Sequence, residues 1–200
     1  DVAPSRGLGD VYKRQVNIDT SGAAVSTGGK GNVNIELDGT NTLKSGRGHA
    51  GLEKSQDGKL TITDENANGK LIATGGDYGA GIGGDDQGNG KNITITGGEV
   101  TAAGGTNGAG IGGGLRKEGE KITVSGDATL KVQGGLTDEW DGAGAGIGNG
   151  GSHNGDFSGS FTPVNGAETE PDTSNLTTGK IEYYAPGADM TKDEPTSTIL

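Results

Sequence analysis

Lys91–Gly113 reads KNITITGGEVTAAGGTNGAGIGG, three short apolar segments divided by glycine pairs. In each segment the apolar residues alternate with polar or small ones: Ile93/Ile95, then Val100/Ala102, then Ala109/Ile111. Period two marks a strand with one buried face. The stretch therefore predicts three strands in quick succession, each too short to be stable alone.

The same three-part pattern recurs on both sides. Lys59–Gly84 reads KLTITDENANGKLIATGGDYGAGIGG, Lys121–Asn149 reads KITVSGDATLKVQGGLTDEWDGAGAGIGN, and a more degenerate copy, NVNIELDGTNTLKSGRGHAGLEK, occupies Asn32–Lys54. Aligned on the alanine of the third segment, the copies place Ala50, Ala80, Ala109 and Ala145 at intervals of 30, 29 and 36, the last lengthened by an insertion at Thr137–Asp141. Inward positions recur with them: Val33/Ile35, Leu60/Ile62, Ile93/Ile95 and Ile122/Val124 in the first segment, and Leu43, Leu71/Ala73, Val100/Ala102 and Leu130/Val132 in the second. In the third they are Ala50/Leu52, Ala80/Ile82, Ala109/Ile111 and Ala145/Ile147. Stacked units would put like side chains in columns inside a coil, each unit covering the strand edges of the next. The expected fold is all-β, a right-handed parallel β-helix with about three strands per rung and four to five rungs.

Composition agrees. The chain has 200 residues, 44 of them glycine, with 28% apolar and 4% aromatic residues. A compact enzyme core is hard to build from that, whereas a narrow solenoid interior needs little. Disordered chains lack such regular runs of Val, Ile and Leu. A helix would show i, i+3, i+4 spacing, and its glycines would cost about 1 kcal/mol each. A Greek-key sandwich accounts for the strands but not for the repeat.

Ser5–Gln15, SRGLGDVYKRQ, resembles the in-frame translation of a transposase sequencing adaptor. Residues 1–15 are therefore set apart as non-native. Arg6, Lys13 and Arg14 against Asp10 give Ser5–Gln15 a net +2, so the chain without that stretch carries −13 where the whole carries −11. On this reading a leader upstream would be missing from the chain. The repeat domain is expected over 16–156. Residues 157–200, rich in Ser, Thr, Pro and acids, are expected to form a linker or cap, to which KIEYYA at 180–185 adds a last strand.

Charge and composition exclude several partners. The acidic balance repels nucleic-acid phosphates and anionic lipid, no apolar run approaches the ~20 residues of a membrane span, and the absence of cysteine removes disulfides and thiolate metal sites. Gly79–Gly84, GAGIGG, satisfies G-x-G-x-x-G, but a dinucleotide loop must open a helix, and here DDQGNG leads into another strand. The pattern recurs at Gly108–Gly113 and, ending in Asn149, at 144–149, and one cofactor does not need three loops. With Ala80 and Ile82 inward, its glycines are expected outside, as a smooth strip that a flat ligand or another chain could approach closely.

Candidate chemistry lies in the turns. Asp77, Asp85, Asp86, Asp138 and Asp141 flank glycines, where carboxylates and carbonyls could supply the oxygen ligands of an accessory Ca²⁺. His49 and His153 have no partner at metal-ligand spacing and are expected as exposed turn residues. Arg47, Arg116 and Lys117 are the basic groups that could face a uronate. Tyr78 and Trp140 each precede a third segment, which sets them near one edge of the coil, where aromatic rings can stack on sugars.

Gly84-Asp85-Asp86 resembles the G-D-D motif of polygalacturonases, themselves β-helices, and Gly151-Ser-His-Asn-Gly155 is similar to their G-H-G, though the basic motif that follows the histidine is missing. More broadly, the GAGIGG units with ITITGGEVTAAGG and ITVSGDATLKVQGG resemble glycine-rich repeat regions of secreted or wall-attached proteins of Gram-positive gut bacteria, described as pectin-lyase-like β-helices or carbohydrate-binding domains. That resemblance covers Val16–Gly155. It implies an extracellular, non-enzymatic module that binds a polysaccharide or a host or cell-wall glycan, or spaces other domains from the surface. The alternative is a fragment of a polysaccharide hydrolase or lyase.

Overall fold

A computed structural model describes residues 15–55, 57–155 and 161–200. The adaptor-like residues 1–14 and the expected boundary at 156/157 lie outside them. Among the described residues every regular element is a strand, and the strands wind as a β-solenoid of about four turns.

Each turn has three sides. The first stacks β3 (Val33–Glu36), β6 (Leu60–Thr63), β9 (Gly90–Ile95) and β12 (Gly119–Val124). The second stacks β1 (Asn17–Asp19), β4 (Thr40–Lys44), β7 (Lys70–Thr74), β10 (Glu99–Ala103), β13 (Thr129–Gln133) and β17 (Lys180–Tyr184), ending at β18 (Ser197–Ile199). The third stacks β2 (Val25–Thr27), β5 (Leu52–Lys54), β8 (Ile82–Gly83), β11 (Ile111–Gly112) and β14 (Ile147–Gly148). Pairing along all three stacks is parallel up to β17, which takes β18 antiparallel. A short antiparallel hairpin, β15 (Ser152–Asn154) with β16 (Thr162–Val164), projects beyond the third side.

The inward columns follow the alternation. Ile62 pairs with Ile95 and Ile95 with Val124; Leu71 pairs with Val100 and Val100 with Leu130; Ile82 pairs with Ile111 and Ile111 with Ile147. These side chains are fully or almost fully buried and make one continuous core. In the first complete rung the register puts Leu43 opposite Ala73 and Asn41 opposite Leu71, and Val33 and Ile35, on the edge strand of the first side among the described residues, are half-buried. The repeat also begins earlier than the four sequence copies. β1 and β2 form part of a preceding rung, with Ile18 opposite Leu43 and Val25 opposite Leu52. A shorter connecting turn hides it from a fixed-length comparison.

The glycines are not where the alternation alone puts them. Gly79, Gly81, Gly83 and Gly84 are buried, so no smooth outer strip exists. From β8 onward the third-side strands are only two residues long, and the peptide groups of adjoining rungs lie against them. A Cβ on Gly76 would overlap the Gly46 carbonyl, one on Gly105 that of Gly76, and one on Gly135 that of Gly105. Gly83, Gly112 and Gly148 share φ near +140°, a conformation that L side chains rarely adopt. Glycine here serves rung-to-rung packing rather than an open surface.

The C-terminal segment caps the last rung on all three sides. β17 pairs with β13, Asp172 bridges Thr123 of β12, and Glu168 bridges Gly148 of β14. The antiparallel β18 then closes the second-side stack. Gly105→Ala is expected to lower unfolding stability by roughly 2 kcal/mol or more, in the range of overpacked sites. Thr101→Ala, on the outer face of β10, should stay within about 0.5 kcal/mol; urea denaturation of both variants measures the difference.

Candidate functional site: an inserted turn carrying an exposed tryptophan

Turns leading into the third side interlock with turns leaving it. The Gly48 carbonyl accepts from Asp86 N (2.9 Å), Tyr78 from Leu115 N (2.8 Å), and Asn107 from Gly151 N (2.7 Å), so each turn clasps the next rung. The three clasping residues are equivalent and all left-handed, with φ of 83°, 75° and 61°. Glycine takes this conformation freely and asparagine tolerates it, whereas for tyrosine it is strained. Tyr78 is held there by its two backbone bonds, and the Arg47 guanidinium lies 5.0 Å from its ring centroid.

In the last rung the incoming turn is longer, and Asn107 from the rung before organises it. Its backbone N–H donates to Leu136 O (2.8 Å), and its side-chain amide donates to Asp141 O (2.9 Å) and Gly142 O (2.8 Å). One fully buried residue thus binds both ends of the insertion. The Asn107 Oδ1 has no hydrogen-bond partner. Inside the loop, Asp138 Oδ1 accepts from Trp140 N (2.9 Å) and Asp141 N (2.7 Å), closing a tight turn.

Asp141 ties the loop to its surroundings. Its carboxylate accepts a two-point hydrogen bond from Arg116, at 2.8 and 2.7 Å, and lies 2.9 Å from His153 Nδ1. The Asp141 side chain is 4% exposed and that of His153 17%. Burial by itself would raise the Asp141 pKa, but hydrogen bonds from Arg116 and His153 outweigh it and hold the carboxyl below its ordinary value. His153 also meets Phe161 edge-on at 4.6 Å, and Phe161 meets Trp140 edge-on at 5.2 Å. On this base the loop presents Leu136 and Trp140, 55% and 53% exposed.

The two aromatics chosen from sequence lie on the same side of the coil. The Tyr78 carbonyl binds Leu115, the next residue Arg116 grips Asp141, and Trp140 precedes Asp141. Among the described residues no three His, Cys, Asp or Glu side chains gather as a group able to hold a metal ion, so Asp77, Asp85, Asp86, Asp138 and Asp141 are not brought together. Asp77 accepts from the Thr106 hydroxyl, Asp86 from Gln87, Asp138 closes its own turn and Asp141 is ion-paired. Asp85 is half-buried, and burial together with nearby Glu53 pushes its carboxyl pKa up.

Of the two histidines expected as exposed turn residues, His153 departs from that, lying in β15 with its side chain 17% exposed, whereas the His49 side chain is 40% exposed. His49 Nδ1 is 2.8 Å from Glu53 Oε2, and His153 is largely covered because the insertion and the β15–β16 hairpin fold over it. Arg116 is committed to Asp141 and Arg47 to Tyr78, so neither stands as an open uronate ligand. The GAGIGG segments form β8 and β11 and run through turns into strands, without the helix a dinucleotide loop needs. Sequence reasoning missed Asn107 and Phe161. Asn107 could have been found as the asparagine in the column shared with Gly48 and Tyr78; Phe161 carries no comparable signal.

Comparison with protein-family models, with curated proteins and with solved structures found no match.

Asn107→Asp replaces a donor to two carbonyls with an acceptor, and should loosen the loop, seen as red-shifted Trp140 emission and faster quenching. The Asp141 pairing has a defined pH sign. A depressed folded pKa contributes stability fully present above the unfolded value of about 3.9 and lost as pH falls through the lower folded value. Trp140 emission should therefore stay constant at neutral pH and shift below about pH 4. Asp141→Asn should already show the shifted emission at pH 7.

Proposed function

We propose that the chain is a non-catalytic, extracellular repeat module that binds a polysaccharide or a host or cell-wall glycan through the side bearing Trp140. Its stacked rungs would also act as a spacer from a cell surface. The observation that carries this reading is a half-exposed tryptophan on a loop fixed from beneath by Asn107, Arg116 and His153. Indole rings stack on the C–H faces of pyranoses, and a loop ordered in advance loses little entropy on binding. Leu136 widens the apolar platform, and Tyr78 with its Arg47 partner offers a second contact on the same side. The resemblance of the repeats to glycine-rich regions of Gram-positive surface proteins, of pectin-lyase-like and carbohydrate-binding type, supports the setting and the ligand class.

One observation favours a second reading, a polysaccharide-cleaving fragment. Asp85 borders a cavity of about 400 Å³ with Lys54, and its carboxyl is biased towards the protonated form beside Glu53. Glycosidases use such a pair, a proton donor with a second carboxylate. The platform reading is preferred because the Trp140 loop is built by several dedicated contacts.

Affinity electrophoresis through gels holding individual polysaccharides tests both. Retardation by at least one glycan, reduced roughly tenfold in affinity by Trp140→Ala, is expected for a stacking hot spot. Tyr78→Gly removes a ring and relieves the left-handed strain, so it should weaken retardation while stability holds within about 1 kcal/mol. Retardation unchanged in both variants would overturn the assignment. Release of reducing or unsaturated ends, abolished by Asp85→Asn, would establish the enzyme reading instead. Because Asn107, Arg116 and His153 bind the loop, EDTA should leave both retardation and the melting temperature unchanged.

A further inference from the structure

A cavity of about 660 Å³ lies on the outer face of the second side, between the stacked strands β7, β10, β13 and β17 and the segment 188–191 that returns over them. The alternation that buries Leu71, Val100, Leu130 and Ile181 turns Ile72, Thr101, Lys131 and Glu182 outward, and the register sets these four side by side in one row. Lys70, Glu99, Thr129 and Lys180 form the row beside it. The returning segment is tied down from beneath. The Gln133 side-chain amide donates to Ala185 O (2.6 Å) and Ala188 O (2.9 Å), and Lys131 Nζ donates to Met190 O (2.9 Å). The volume suits a small molecule, and apolar side chains with a few converging polar groups are typical of ligand sites. Nothing in the platform reading uses it.

We infer that this cavity binds an alkyl carboxylate of the fatty-acid class, its charge on Lys131 and its apolar body against Ile72 and Met190. Every other charge that lines the cavity is already paired. Lys70 meets Glu99 (3.3 Å), Lys180 meets Glu182 (2.5 Å) and Asp189 meets Lys192 (2.5 Å). Both Glu182 oxygens are engaged, Oε1 by Lys180 and Oε2 by the Tyr184 hydroxyl (3.3 Å), and the Lys180 hydrogen bond is the first cause that holds the Glu182 carboxyl below its ordinary value. Among the described residues Lys131 has no carboxylate partner; its ammonium lies 5.6 Å from the Tyr184 ring centroid and directs one donor to Met190 O. An ammonium carries three donors, so its charge and a further N–H remain for a ligand. Thr101, its register partner, and Thr129, two residues before it on the same face, carry hydroxyls without a hydrogen-bond partner among the described residues. An ammonium and two hydroxyls thus share one patch, where a carboxylate takes charge-assisted hydrogen bonds. Ile72, next in the row beyond Thr101, and Met190 of the returning segment offer only apolar side chains, which a linear alkyl body covers. The net acidity of the chain acts at long range and is screened within about 10 Å at 0.1 M salt, whereas direct contact with Lys131 is screened far less. A cation of the same shape would meet Lys131 and find no unpaired carboxylate, so the site discriminates by charge.

The test is a titration of the full chain at neutral pH, followed by NMR and calorimetry, with octanoate, with octan-1-ol as its uncharged counterpart and with octylammonium as its cationic one, each below its micellar concentration. Octanoate should saturate, shift the Ile72 and Met190 methyl resonances, and bind roughly tenfold or more tightly than the alcohol, with octylammonium the weakest of the three. Lys131→Gln should weaken octanoate binding roughly tenfold. Because that change also removes the bond to Met190 O, Thr101→Ala provides a second variant that leaves the returning segment its contacts; it should weaken binding several-fold without altering the far-ultraviolet circular dichroism. Equal affinity for the alcohol or the ammonium, no saturation by octanoate in the millimolar range, or unchanged affinity in Lys131→Gln or in Thr101→Ala would each overturn the inference. These readouts involve no glycan, so this site and the Trp140 platform stand or fall separately.

Discussion

Close approach of peptide backbone to peptide backbone on the third side of each rung is the constraint on which the molecule depends. Strands of two residues cannot hold a sheet together through side-chain packing, so the rungs meet through their peptide groups, and any Cβ there would strike the carbonyl of the neighbour. Glycine is therefore needed at Gly46, Gly76, Gly105 and Gly135, and again at Gly83, Gly112 and Gly148. A coil so pinched on one side leaves room only for Ala80, Ala109 and Ala145 beside Ile82, Ile111 and Ile147. The low apolar content follows from geometry rather than from weak folding. Ladder hydrogen bonds, repeated in register on three sides, carry the cohesion that a thicker domain would draw from its core.

Much of this was legible in the sequence because the physics is local and repeated. Period-two alternation in ITI, EVTAA and AGIG gives the inward residues, and recurrence at intervals near 30 says that like residues stack. The fates of the glycines were less visible. Alternation says which face a residue takes but not what lies against that face, and at Gly81 and Gly110 the outward face meets the backbone of the next rung's second-side strand. The partial rung of β1 and β2 escaped because its turn is shorter while its register is kept. These are long-range facts, set by what sits one rung away.

The site was half legible for the same reason. Trp140 stands out as the single tryptophan in an insertion, and its position beside a third-side segment places it at an edge of the coil. What fixes it comes from elsewhere in the chain: Asn107 from the preceding rung, Arg116 from a different turn, and His153 with Phe161 from the hairpin. None of these lies at a motif spacing from Trp140. The carboxylates illustrate the converse. Five aspartates in glycine turns are candidate ligands of an accessory Ca²⁺ in the sequence, yet a solenoid distributes its turns along an axis, and Asp77, Asp86, Asp138 and Asp141 each meet a separate partner where they fall.

The two ends of the coil differ in a way that bears on where function can reside. At the C-terminal end, residues 161–200 lay a bridge or a strand on every side of the last rung. At the other end, among the described residues, Val16 is 44% exposed and Val25 and Ile35 are half-buried. An ideal repeat offers the same surface at every rung and so cannot distinguish one ligand from another. Specificity has to come from residues that break the repeat. In this chain the departures gather towards the last rung and its cap: the longer turn with Trp140, the Asn107 of the rung before that binds it, and the projecting hairpin. The middle rungs supply a rigid shaft, and at the capped end that rigidity holds Trp140 and the residues around it in fixed positions.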